Sequence, residues 1–242
     1  MYQLCSVQTA LYNWFSRRKS VLVALSGGVD SSVLAAVAKR SLGHRAVAAT
    51  VFSELQSRDD LDRAREVSSE LGIEHVILEL EALDLPEIQR NGPLRCYYCK
   101  YAMAELLCVE AKLRGIKTVV DGTNASDLEE DRPGMAALRL HKIQMPLREL
   151  GITKDVVREI ARSLGLSSAE SPPRSCLATK IAGPLSPEVL ARVESAVELL
   201  PEGARFRDCG DLAAVELPPA TELSSMRVSA LQKLGYSRLE IR

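Results

Sequence analysis

Aromatic residues are scarce in this chain of 242 residues, at 4% with a single Trp, so its 46% hydrophobic content is mostly aliphatic. That content still suffices for a sizeable core. Neither sign of charge prevails: 31 Lys and Arg stand against 32 Asp and Glu, a net charge of −1. A nucleic-acid partner, which would call for a basic face, is therefore not expected. The short cluster Arg17-Arg-Lys19 follows an amphipathic segment and suits a helix C-terminus better than a binding patch. No apolar run approaches the ~20 residues that span a bilayer, so no membrane partner is expected. The segment Met1 to Phe15 lacks a basic stretch before its apolar positions, which reads as an amphipathic helix and not a signal peptide. Without secretory context, the six cysteines are expected as reduced thiols in the cytoplasm. Only three histidines occur, none near a cysteine, and there is no second C-x-x-C, so a four-ligand structural zinc site is hard to complete.

What is present is concentrated early. Val21-Leu-Val-Ala-Leu25 reads as a buried strand, and Ser31 to Arg40 carries apolar residues at helical spacing. Between them, Ser26-Gly-Gly-Val-Asp-Ser-Ser32 is a Gly-rich turn at a helix N-terminus, where backbone N–H groups cradle an anion. Gly27 and Gly28 permit close approach and positive φ; Ser26, Ser31 and Ser32 add hydroxyls; Asp30 can hold Mg²⁺. The Lys that follows the second Gly in kinase-type phosphate loops is missing, so the cradle suits a pyrophosphate better than transfer of a terminal phosphoryl group.

Downstream, strands at 45–51, 75–80 and 117–120 alternate with helices at 59–71, 98–113 and 153–164. This alternation predicts an α/β fold, a parallel sheet with helices on both faces, whose sites lie beyond the strand C-termini. After Gly165 the composition turns to Ser, Pro and small residues. Helix, strand pair, helix and strand then follow between Pro187 and Ile241. The expected organisation is a main domain over 1–165 and a linker with a small C-terminal α+β domain over 166–242.

Other residues carry weaker signals. Cys96 and Cys99 form a C-x-x-C near a helix start, where the dipole favours thiolates, and Cys176 lies in the linker. A lone C-x-x-C fits half a zinc site or a redox pair equally well. Asp121-Gly-Thr-Asn124 closes a strand, where it serves either as a nucleotide contact or as an Asx turn. Arg205 and Arg207 share one strand face, suited to a carboxylate or phosphate or simply to solvent. Asp208 and Asp211 read as metal donors or as a hairpin turn.

Ser26 to Ser32 resemble the pyrophosphate loop of the PP-loop ATP pyrophosphatase superfamily. Arg95-Cys-Tyr-Tyr-Cys-Lys100, Asp121-Gly-Thr-Asn-Ala-Ser-Asp127, Arg132-Pro-Gly-Met135 and Ser175-Cys-Leu-Ala178 are similar to one branch, the LarE family of ATP-dependent sulfur transferases. The resemblance implies ATP and Mg²⁺ as cofactors. It also implies adenylation of a carboxylate on a pyridinium dicarboxylate mononucleotide and sulfur insertion from a donor, giving a thiocarboxylate. ATP would be held by Ser26, Gly27, Gly28, Asp30, Ser31, Ser32, Asp121, Gly122, Thr123 and Asn124, with Arg132, Arg205 and Arg207 on the acceptor. Cys96, Cys99 and Cys176 together match the three-cysteine form with a [4Fe–4S] cluster and an open iron; Cys176 alone would act as a sacrificial or persulfide sulfur. A homo-oligomer follows from the family, a hexamer in its pattern. The chain departs from the family at Ala169-Glu-Ser-Pro172, at Thr179-Lys180 and at Met145, and the family's C-terminal extension is not expected. Rivals are a cluster-dependent tRNA thiolase, an ammonia-using amidotransferase-type synthetase module, and a non-catalytic nucleotide sensor.

Overall fold

The computed structural model describes residues 2–127, 133–172 and 174–242. They form two compact units. The first comprises 1–53, 58–80 and 96–174; the second comprises 54–57, 81–95 and 175–242.

The first unit is built on β1 (Val21–Ala24), β2 (Ala46–Ser53), β3 (Glu74–Leu80) and β4 (Val119–Val120), all parallel in the order β3-β2-β1-β4. β1 is apolar throughout because both of its faces are covered. Val21 and Val23 point into one core with α1 (Tyr2–Ser16), α2 (Val29–Leu42), α3 (Arg58–Leu71), the short α7 (Pro146–Glu149) and α8 (Lys154–Leu164). Leu22 points the other way, into a core with α5 (Arg95–Leu113) and α6 (Gly134–Leu140). Helices therefore lie on both faces, as the alternating pattern predicts. Ala35, Ala36 and Ala38 are fully buried on α2, and their small side chains let this helix lie close against the sheet. The larger Val33, Leu34 and Val37 around them are buried too, each worth roughly 1.5–3 kcal/mol. α8 ends at Gly165, which takes the left-handed conformation (φ 74°) that its missing Cβ allows. Among the described residues, no helix is long and apolar enough to cross a membrane.

The second unit holds the short α4 (Pro86–Gln89), α9 (Pro187–Glu198) and α10 (Ser225–Lys233) beside a sheet of β5 (Arg205–Cys209), β6 (Leu212–Glu216) and β7 (Arg238–Ile241). Its order is β5-β6-β7, antiparallel then parallel. Ser186 caps α9 by accepting from the Val189 amide at 3.3 Å, with Pro187 at the first helical position. Asp208 settles one open question. It is buried, accepts from Arg192 at 2.6 Å and from the Tyr236 hydroxyl at 2.7 Å, and is thus a structural anchor. Burial and then the Asp208 carboxylate push the Tyr236 hydroxyl well above its ordinary pKa, keeping it a donor. Asp211 pairs with Arg238 at 2.8 Å beside the two-residue turn through Gly210. Both aspartates follow the hairpin reading, not the metal one.

Candidate active site

β1 ends at Ala24, and the chain turns through Leu25 to Gly28 before α2 begins. Gly27 has φ 74°, and a Cβ there would lie 2.9 Å from the Ala64 amide nitrogen and 3.0 Å from the Arg63 Cβ on α3. Only glycine fits, for both conformation and space. Gly28 caps α2 in an extended conformation without a side-chain partner. The orphan amides of the first turn and the positive end of the helix therefore face the strand C-termini, the ordinary setting of a phosphate cradle.

The three loop serines do not play equal parts. The Ser31 and Ser32 hydroxyls both donate to the Gly28 carbonyl at 2.9 Å, and both residues are buried. Ser31 Oγ in turn accepts from the Ser26 amide at 3.2 Å. These two hydroxyls hold the loop's shape. Ser26 is exposed and is the loop serine presented to solvent.

Asp30 lies in the first turn of α2. Its Oδ1 accepts from Asn124 Nδ2 at 3.1 Å, and its Oδ2 pairs with Lys154 Nζ. Lys154 is the first residue of α8, and nothing local to its sequence marks it for the loop. A cation thus stands beside the loop from 124 residues downstream of Asp30.

Asp121 to Asn124 follow β4 and close the same edge. Asn124 Oδ1 accepts from the Ser126 amide at 2.8 Å, and Asp121 Oδ1 from the Thr123 amide at 2.9 Å, so the segment is two successive Asx turns. The turn and the loop meet directly: a Cβ on Gly122 would lie 3.0 Å from the Ser31 amide nitrogen. The segment thus has the Asx-turn form and packs against the loop. Asp121 is buried beside Lys100, 3.2 Å away on α5. Burial pushes its carboxyl up, but the Lys100 charge and the Thr123 hydrogen bonds outweigh that and hold it below the ordinary carboxylate range. Sequence reasoning singled out neither Lys100 nor Lys154 as a cation on the loop's side of the sheet. In Lys100 a signal existed, since it closes the Arg95–Lys100 motif.

Cys96 and Cys99 occupy the first turn and a half of α5, which starts at Arg95, three residues before the sequence-based boundary. Both are half-buried, and Cys99 Sγ lies 3.9 Å from Met103 Sδ. Cys176 belongs to the second unit, half-buried ahead of a 3₁₀ turn (Leu177–Lys180), where its carbonyl accepts from the Thr179 hydroxyl at 2.6 Å. None of the six cysteines is in a disulfide. Among the described residues, no group of three or more His, Cys, Asp or Glu is arranged to hold a metal ion. Arg205 and Arg207 are exposed on one face of β5 as their spacing predicts, with Arg205 3.5 Å from Glu216 across the hairpin. Arg132 lies outside the described residues.

A parallel sheet in the order β3-β2-β1-β4, with Ser26–Ser32 at the β1–α2 turn, defines a PP-loop ATP pyrophosphatase, and the asparagine synthase family model matches residues 8–122. The chain is similar to an uncharacterized Synechocystis protein, at 34% identity covering 86% of this chain and 80% of the relative. It is similar to an uncharacterized Methanocaldococcus jannaschii protein at 31%, covering 83% and 79%. It is also similar to the pyridinium-3,5-bisthiocarboxylic acid mononucleotide synthase of Lactiplantibacillus plantarum at 30%, covering 83% and 75%. This chain belongs to the LarE family within that superfamily, and is an ATP-using enzyme.

ATP and Mg²⁺ come with that family, and the loop fits them. Gly27 seats the loop against α3, exposed Gly28 opens the N-terminus of α2 to a phosphate, and Asp30 and Lys154 offer a carboxylate that would hold the metal and a cation that would hold phosphate side by side.

Proposed function

We propose that this enzyme adenylates a carboxylate of a pyridinium dicarboxylate mononucleotide and replaces the activated oxygen with sulfur, giving a thiocarboxylate. The Gly27–Gly28 cradle beside the Asp30–Lys154 pair carries the reading, since anion donors, a carboxylate that would hold the metal and a cation from α8 meet at one strand–helix turn. An acceptor carboxylate oxygen attacks the α-phosphorus, the bond to the β-phosphate breaks, and pyrophosphate leaves. The loop amides and Lys154 stabilise the charge that develops on that leaving group. Asp30 would hold Mg²⁺, which would supply further charge neutralisation. A sulfur nucleophile then adds to the acyl carbon, and AMP leaves. The acceptor's identity rests on the name of the Lactiplantibacillus relative.

The product assay is direct. Protein, Mg-ATP and the dicarboxylate mononucleotide should yield AMP and pyrophosphate; ADP and phosphate would sink the adenylation reading. Cys176→Ser should abolish thiocarboxylate formation while leaving single-turnover pyrophosphate release within about threefold of wild type, because sulfur acts only after adenylation. Equal loss of both would place Cys176 in the ATP step instead. Whether Cys176 acts alone or shares a [4Fe–4S] cluster with Cys96 and Cys99 is read from an anaerobic preparation. Iron and sulfide near four of each per chain, lost in Cys96→Ser, support the cluster form. Sulfur transfer without iron supports a Cys176 persulfide or sacrificial sulfur.

Arg205 and Arg207 are proposed to dock the acceptor's carboxylate or phosphate. Replacing both with Ala should weaken acceptor binding by several kcal/mol, at roughly 1.5–3 kcal/mol for each charge-assisted bond. ATP affinity should hardly change. Titration calorimetry with the dicarboxylate mononucleotide checks this, and an unchanged Kd would remove the pair from the site. The ammonia-using alternative has the asparagine synthase match in its favour; an amide product formed from ammonium would establish it.

A further inference from the structure

His75 on β3 touches no residue of the loop, yet it stands between the two elements that shape it. The Thr50 hydroxyl on β2 lies 2.6 Å from the Leu25 carbonyl oxygen, immediately ahead of Ser26. A carbonyl only accepts, so the single Thr50 proton points to Leu25. The Thr50 oxygen must then accept from His75 Nε2, 2.8 Å away, which assigns that nitrogen as N–H. On the ring's other side, Nδ1 lies 3.1 Å from the Ser68 hydroxyl of α3, which also lies 2.8 Å from the Arg65 carbonyl oxygen; with the ring proton on Nε2, Nδ1 accepts, and the Ser68 proton is shared between the two acceptors. α3 is the helix whose Ala64 and Arg63 backbone fills the space where Gly27 lacks a Cβ. The Leu25–Ser26 peptide is thus held at its carbonyl by Thr50 and at its amide by Ser31.

We propose that His75 is a positioning residue of the pyrophosphate loop. Through Thr50 it orients the Leu25–Ser26 peptide, and through Ser68 it holds α3 against Gly27. Burial and then the Arg65 charge lower the ring's pKa, so it works as a neutral imidazole at neutral pH. Thr50 is buried, so loss of His75 leaves the hydroxyl without its donor. The inference rests on the adenylation reading, because it assigns the clamp to the loop that would receive pyrophosphate.

Thr50→Val and His75→Leu should each lower kcat for AMP formation from Mg-ATP and the dicarboxylate mononucleotide by about tenfold, because small displacements of a catalytic group are costly. KM for ATP should move less than about threefold, since the amides remain present and only their aim changes. Thr50→Ser and His75→Gln keep a hydroxyl and a side-chain N–H donor, and should recover most of the rate. The Thr50→Val/His75→Leu double variant should fall well short of the product of the two single effects, since His75 reaches the loop peptide through that hydroxyl and only its Ser68 contact acts separately. Wild-type kcat in either single variant, or a double variant slowed by the product of both effects, overturns the proposal. If His75→Leu fails to fold, the Thr50→Val and Thr50→Ser pair and His75→Gln carry the same comparison. A wild type that forms no AMP defeats the adenylation reading, and the clamp is then read from hydrogen exchange. The Gly27 and Gly28 amides should exchange about tenfold faster in Thr50→Val if the hydroxyl holds the loop, each tenfold marking one such loss of local stability. Unchanged exchange overturns the clamp.

Discussion

Gly27→Ala is expected to yield a folded protein with at least about 100-fold less AMP formation, the scale on which ångström misplacements act. The positive φ alone costs about 1–2 kcal/mol for an L side chain. Beyond that, the new methyl would sit 2.9 Å from the Ala64 amide nitrogen, a backbone atom that cannot rotate away. Either the loop or α3 must shift, and both define the cradle. Gly43→Ala is the control, since Gly43 also has positive φ (63°) but nothing lies within 4 Å of its Cβ position. It should cost stability, at roughly 2–4 °C of melting temperature per kcal/mol, and spare the rate. A Gly27→Ala enzyme with wild-type turnover would show that phosphate does not bind this loop.

Lys154→Met is expected to lower AMP formation by about 100- to 1,000-fold, comparable to deleting one preorganised donor from a charge-stabilising site. Its Nζ pairs with Asp30, and both side chains are partly open to solvent, so the loss of fold stability should be small. Asp30→Ala should be as severe, because it removes the carboxylate that would hold Mg²⁺. The two act on one leaving group, so the double variant should fall far short of the product of the single effects. Steady-state rates and thermal melts on the three variants check this. Full activity in Lys154→Met would reduce the pair to an ion pair at a helix end.

Much of the scaffold was legible because its signals are local. The apolar run Val21–Leu25, the glycines at 27 and 28, and Gly165 after a periodic segment each follow from propensity and sterics within a few residues. Helix boundaries proved softer: α5 begins at Arg95, so the C-x-x-C lies inside a helix and not before one. The 54–57 and 81–95 segments fold with the second unit, and no shift in composition announces them.

The site divided along the same line. Sequence by itself determined the anion cradle, since a Gly-Gly turn between strand and helix exposes amides wherever it occurs. It also determined the two-sided parallel sheet and the shared face of Arg205 and Arg207, which period-2 geometry dictates. Tertiary structure alone decided what stands around the cradle. Lys154 reaches Asp30 across 124 residues, and His75 reaches Leu25 only through Thr50. Ser31 and Ser32, read from sequence as ligand donors, turn back to the Gly28 carbonyl instead. The physical reason is reach. Backbone conformation depends on near neighbours, whereas a charge or hydroxyl finds its partner through space, after packing has chosen which distant segments meet.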